Sequence, residues 1–374
     1  MSAKFSVLMT ISSTRLMVCM KKQYFYEICQ QNKKSFHIKR SDLFHIMISH
    51  GNYFVDKFML VGFFSGVMGC ALWGFIYLVP LLLSGYDPIS IAMARFACFG
   101  IGSVFLLYRY QEQLKQLTFR DWFDAFNLAF IGNAVYFVFL SQGIKLSGAP
   151  LAGMLMALIP VLVAVITNRK TLDNPIVVPW KKLIVPLGMI LLGLVMANLT
   201  EFELATEKTS TRDFWIGAGC STIAMLLWTW FPIRNSQWLT RHPTISPFAW
   251  TTAQGFAIFP ATVFIYCFVN VDSIIGETPF LGETPLTFIM LMLLAGIICG
   301  WGGMALWNYM SARLPVALSG QMIVFETIFS VIYTLIYREE YPSWTLLLGL
   351  IILLLGVVLS LKVFQKAIKE YRAQ

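Results

Sequence analysis

The chain has 374 residues, 57% of them hydrophobic and only 13% charged, with a mean hydropathy of +0.70; soluble domains carry about one quarter charged residues, so a water-soluble globular fold is excluded and a polytopic membrane protein is indicated. The formal net charge is +9, but the basic residues follow the links between apolar runs instead of forming a polyanion-binding patch, which excludes nucleic acid as a partner. Seven cysteines (Cys19, Cys29, Cys70, Cys98, Cys220, Cys267 and Cys299) are odd in number, and no two are two or three residues apart; they form neither a disulfide framework nor a zinc site and read as space-filling thiols.

Residues 1–57 stand apart. They hold nine Lys or Arg and three of the four histidines, His37, His45 and His50. The run Phe5–Met20 is interrupted by Arg15 and lacks the clean apolar core of a signal peptide. Two readings remain: a disordered or surface-lying basic tail, or an over-extended start with translation beginning at Met47 or Met59. The abrupt onset of the membrane pattern at Met59 favours the second.

Ten apolar runs follow: Met59–Leu81, Pro88–Tyr108, Phe123–Ser141, Ala149–Thr167, Lys182–Asn198, Phe214–Pro232, Phe248–Val269, Leu286–Leu306, Val316–Ile336 and Trp344–Lys362. Each is near the length of about 20 residues that a helix needs to cross a bilayer. If the N-terminus is cytoplasmic, the inner segments hold 23 Lys and Arg, and the outer links hold Lys145, Lys208, Arg212 and Arg338, which is 4. Without the tail the ratio is still 14 to 4. Both termini are therefore predicted to be cytoplasmic, which requires an even number of spans. The link 270–285 carries Asp272, Glu277 and Glu283 and no basic residue, as an outer loop should.

The chain also repeats itself. Trp73 and Trp228 each end a small-residue or leucine-rich stretch and are each followed 15 residues later by proline, Pro88 and Pro243. Gly143–Pro150 opens the fourth run much as Tyr309–Pro315 opens the ninth. Gly193-Leu194-Val195 matches Gly356-Val357-Val358. These matches are short, and chance likeness between apolar helices is the competing explanation. Five helices per half would make the second half inverted, an arrangement that builds a central site able to face either side in turn.

Taken in order, these marks resemble the drug/metabolite transporter superfamily and its EamA-type ten-helix exporters. The resemblance runs from about Met59 to Leu361 through Ala71-Leu72-Trp73-Gly74, Pro88 with Arg95, Gly148-Ala149-Pro150 leading to Pro160, Trp307-Asn308, Gln321 to Glu326, and Glu340. It implies an all-α integral membrane fold of ten transmembrane helices in two inverted five-helix repeats, residues 58–200 and 213–363, with a short basic tail at 364–374. It further implies a secondary transporter that moves a small organic metabolite or amphipathic compound, by export and alternating access, across a bacterial inner membrane. The family has no counterpart to the basic tail, and Pro160 stands where the second half has Glu326.

Glu326 is the eleventh residue of a 21-residue run, which puts a carboxylate near the bilayer centre if the helix is straight. It reads as a proton-carrying or substrate-facing group, with a structural interhelical hydrogen bond as the plainer alternative. Arg95, about two turns into the second run, is a fixed cavity charge or an arginine snorkelling to the outer surface. Asn308 and Gln321 are pathway candidates, although helix-to-helix bonding explains residues such as Asn133, Gln142, Asn198, Gln254, Asn308 and Gln321 more often than substrate contact does. Trp73, Trp228, Tyr136 and Trp307 could line an apolar pocket; an interfacial aromatic belt is the alternative. No His or deep Asp lies in a membrane run, and no phosphate-loop signature is present. No catalytic, metal or cofactor site is expected, and the competing classes are an integral-membrane enzyme acting on a lipid or a membrane sensor or scaffold. The partners expected are a small-molecule solute, protons and the lipid bilayer, with a homodimer as an assembly open to the chain.

Overall fold

The computed structural model describes residues 51–83, 85–147, 149–156, 158–169, 177–206, 210–275, 279–339 and 341–373. The readings placed on residues 1–50, on Gly148 and on Glu340 lie outside that set. Every regular element among the described residues is helical, as hydrocarbon demands, because a helix satisfies its own backbone polar groups. The spans are α1 Gly51–Ile76, α2 Pro88–Leu114, α3 Phe119–Ser147, α5 Trp180–Thr206, α6 Thr211–Arg241, α7 Pro247–Val269, α8 Pro285–Ser311, α9 Val316–Tyr337 and α10 Trp344–Ala373. Among the described residues these nine contain stretches long and apolar enough to cross a membrane. The run expected as a tenth, Ala149–Thr167, is divided into Ala149–Met156 and Ile159–Thr167, called α4 together. Pro160 enters the second segment at its first turn, where a missing N–H costs nothing but the preceding turn cannot continue regularly.

The local sequence sets the helix starts. Asp87 caps α2, with its carboxylate accepting from Ser90 N at 2.9 Å and Pro88 in the first turn. Thr118 and Asp121 form a reciprocal capping box on α3. Ser210 caps α6 and Ser246 caps α7. In the link after α4, the Asn168 amide donates to Val178 O at 2.8 Å and its oxygen accepts from Val178 N at 3.0 Å, so one side chain closes the turn.

The helices pair as α5 with α10, α2 with α7, α4 with α9, α3 with α6, α1 with α8 and α1 with α9. Exchanging the first five helices for the last five leaves this pairing unchanged: α3 on α6 becomes α8 on α1, and α4 on α6 becomes α9 on α1, both of which occur. Glycines let the backbones meet. A Cβ on Gly193 of α5 would stand 2.5 Å from Gly349 O and 2.6 Å from Leu353 N of α10, and one on Gly356 would stand 2.9 Å from Pro186 O. On α1, Gly69 faces Gly303 O of α8 and Gly74 faces the backbone at Ser330 of α9.

Candidate functional site

Three spans depart from a regular α-helix, and all the departures surround one region. Helix α3 widens into a π segment over Phe130–Val135, and α8 does so over Leu294–Gly302. Asn133 Nδ2 donates to Leu128 O at 3.0 Å, using an amide to satisfy a carbonyl beside the widened turn. Helix α9 is interrupted at Met322, where Met322 N bonds Ser319 O at 3.1 Å and Phe325 N bonds Met322 O at 3.0 Å, both of the tighter i→i−3 kind. The Met322 carbonyl also accepts from the Cys70 thiol of α1 at 3.2 Å. A straight helix over 316–336 was expected; instead Glu326 lies in the first turn of a second segment, Ile323–Arg338.

The irregular segments bring aromatic rings from four helices together. Trp73 of α1 packs edge-on against Trp228 of α6, with ring centroids 5.6 Å apart, and lies 5.1 Å from Trp307 of α8. Tyr136, the first residue after the α3 π segment, stacks on Trp228 at 4.8 Å, and Phe231 stacks on the same indole at 5.1 Å. Gly303, the first residue after the α8 π segment, makes room for Trp73: a Cβ there would stand 2.5 Å from Trp73 Nε1. All of these rings are buried, so the four predicted aromatic residues form a core cluster and not an interfacial belt.

The charges border this cluster. Arg95 is 9% exposed, with its guanidinium carbon 4.7 Å from the Phe96 ring centroid and 5.2 Å from that of Phe137. That burial is inconsistent with an arginine snorkelling to the headgroups. Its Nε has no hydrogen-bond partner, and neither does Glu326 Oε2. Tyr77, just past the end of α1, has its hydroxyl beside the Glu326 carboxyl and the Tyr136 hydroxyl. Tyr77 is 37% exposed whereas Glu326 is 7% exposed, so the tyrosine lies nearer the surface of the bundle. Further buried atoms without partners are Trp307 Nε1, both amide atoms of Gln321 and the hydroxyls of Ser221, Ser311, Ser319 and Ser360. Native interiors hold few such groups, and each asks for an explanation.

Asn308 sits differently. Its Oδ1 accepts from Asn235 Nδ2 at 2.6 Å, and its Nδ2 donates to Thr251 Oγ1 at 2.8 Å and to Gln254 Oε1 at 3.1 Å. Asn235 Oδ1 in turn accepts from Trp250 Nε1 at 2.9 Å and from Gln254 Nε2 at 3.1 Å. This fully buried network ties α6, α7 and α8, so the predicted pathway residue Asn308 spends its amide on neighbouring helices. Gln142 is exposed, and the side chain of Asn198 is outside the described residues.

Sequence reasoning missed Tyr77, Phe96, Phe137, Phe231 and the thiol of Cys70. Tyr77 carried a usable signal: it is four residues after Trp73, which puts the two on one helical face. Phe137 could have been found as the neighbour of the predicted Tyr136.

The EamA-like transporter family matches residues 60–199. The chain is 30% identical over 308 residues to inner membrane protein YtfF of Escherichia coli (strain K12), covering 81% of this chain and 96% of that protein. A solved crystal structure superposes with a TM-score of 0.59 at 16% identity, over 82% of this chain and 96% of that one, a likeness of fold alone. On this sequence match over nearly the whole relative, the chain is a multi-pass inner-membrane protein and belongs to the EamA-like transporter family.

Proposed function

We propose that the chain is a secondary transporter that exports a small organic solute by alternating access, with the cargo held between two inverted halves at the Trp73–Trp228 cluster. Family membership supports transport as the class. The observation that carries the central site is the set of partnerless buried polar atoms on Arg95, Glu326 and Trp307, which border or belong to the cluster where aromatic rings from α1, α3, α6 and α8 meet. Buried polar groups without partners are costly, and a ligand that supplies their hydrogen bonds recovers that cost.

The exchange symmetry of the helix pairs supports the two-halves reading. The second segment of α4 crosses the first segment of α9 at Val163 and Gly320, next to both helix interruptions. We take the interruptions as the places where those helices bend when access passes from one side to the other. Glu326 is the proton-carrying group in this reading. A charge at the bilayer centre costs roughly 2.5–3.5 kcal/mol on insertion scales, and the first turn of a half-helix returns only about 0.3–1 kcal/mol to a carboxylate. The remainder falls to a proton, a polar neighbour such as Tyr77, or cargo.

The test is reconstitution in liposomes with a panel of amino acids, amines, organic acids and nucleosides, combined with metabolite profiling of overexpressing cells. Movement of an unaltered compound across the membrane is the expected result. Chemical conversion of a compound without its movement would overturn the reading in favour of a membrane enzyme.

A further inference from the structure

Accepting the central site proposed above, we infer that its cargo is an organic anion with an apolar body, anchored through its anionic group to Arg95. An arginine side chain stays charged in a protein, and this one is buried among helices. Desolvating such a charge costs several kcal/mol. The rings of Phe96 and Phe137 return only part of that cost as cation–π contacts. No carboxylate forms an ion pair with Arg95 among the described residues, and its Nε is buried with no acceptor. Glu326 is near enough to feel the guanidinium charge but does not pair with it.

The chemistry that completes this site is a carboxylate or another oxyanion, which accepts from the planar guanidinium fork in a bidentate manner. A cation would place like charge beside Arg95, and a neutral compound would leave the charge unbalanced. The body of the ligand has its place on the same side, because Tyr136, which neighbours Arg95, stacks on Trp228. A flat or aliphatic group lying along these rings would bury its surface against them.

The experiment uses the purified full chain in nanodiscs and three probes of one shape, 3-phenylpropionate, 3-phenylpropanol and phenethylamine, titrated against intrinsic tryptophan fluorescence. Saturable quenching by 3-phenylpropionate is expected, with phenethylamine weaker by about tenfold or more, the span of a charge-assisted hydrogen bond. Arg95→Gln should abolish the preference for the anion. Arg95→Lys, which keeps the charge and guards against misfolding as the cause, should retain the preference at lower affinity. If phenethylamine binds as tightly as 3-phenylpropionate, or if Arg95→Gln leaves the preference intact, the anion assignment is overturned while the central site stands. If no probe quenches, or if quenching is unchanged in Trp228→Leu, the central site itself fails and the assignment fails with it.

Discussion

At the residue scale, the account depends on telling polar groups that hold the bundle together from polar groups that wait for something. The distinction is one of partners, which a sequence does not display. Asn308 and Gln321 looked alike as amides in or at the ends of apolar runs, yet Asn308 has its hydrogen bonds met by Asn235, Thr251 and Gln254, while Gln321 has none met. Glu326 and Arg95 were legible because charge in hydrocarbon is conspicuous; Tyr77 and Phe137 were not, because aromatic residues are common in every span. Two substitutions separate the classes. Asn235→Ala strands Trp250 Nε1, Gln254 Nε2 and an Asn308 amide at once, and is expected to lower stability by about 1–3 kcal/mol, read as thermal unfolding in detergent, with probe affinity kept in the folded fraction. Gly303→Val is expected to do the reverse: a Cβ there collides with the Trp73 indole, so probe affinity should fall more than stability. Equal loss of both in the two variants would show that network and site are one structural unit.

At the element scale, run length located the spans, because it follows from the thickness of the bilayer. The irregularities inside them were not legible. The Pro160 break had a visible cause, but the interruption at Met322 has no proline, and the π segments at Phe130–Val135 and Leu294–Gly302 depend on which helix lies opposite. Both π segments occur in the third helix of their half, and both interruptions occur in the fourth, so the irregular backbone follows the same five-helix period as the Trp73–Trp228 likeness. The α5–α10 contact is made regular by glycines on both helices, which let the backbones meet. Gly349→Leu should overpack it, because even a Cβ there would stand 2.8 Å from Gly193 O. A loss of about 1–3 kcal/mol is expected, measured by unfolding in detergent; a variant as stable as the parent would mean that this contact does not hold the two halves together.

At the scale of the whole molecule, the helix pairing survives exchange of the two halves while the central chemistry does not. Trp73 and Trp228 answer each other across the site, but α9 carries Glu326 where α4 has no acidic residue, and α2 carries Arg95 where α7 has no basic residue. In the transporter proposed above, such a pathway would present one set of groups to either side without being chemically symmetric. Its orientation rests on the Lys and Arg distribution. Reporter fusions after Gly85 and after Lys115 are expected to report outside and cytoplasm respectively, and the reverse result would invert the assignment of both termini.

The central claim, that solute and proton meet at Glu326 between the halves, is tested most directly in proteoliposomes holding the parent or Glu326→Gln, a change that keeps the side-chain shape and removes its titration. Solute flux is followed with the pH gradient imposed in each direction and with none. The account predicts that the parent flux follows the gradient, while Glu326→Gln inserts and folds like the parent and exchanges solute at a rate independent of pH. Gradient-driven flux in Glu326→Gln equal to that of the parent, with the same pH profile, would contradict it and make Glu326 a structural residue.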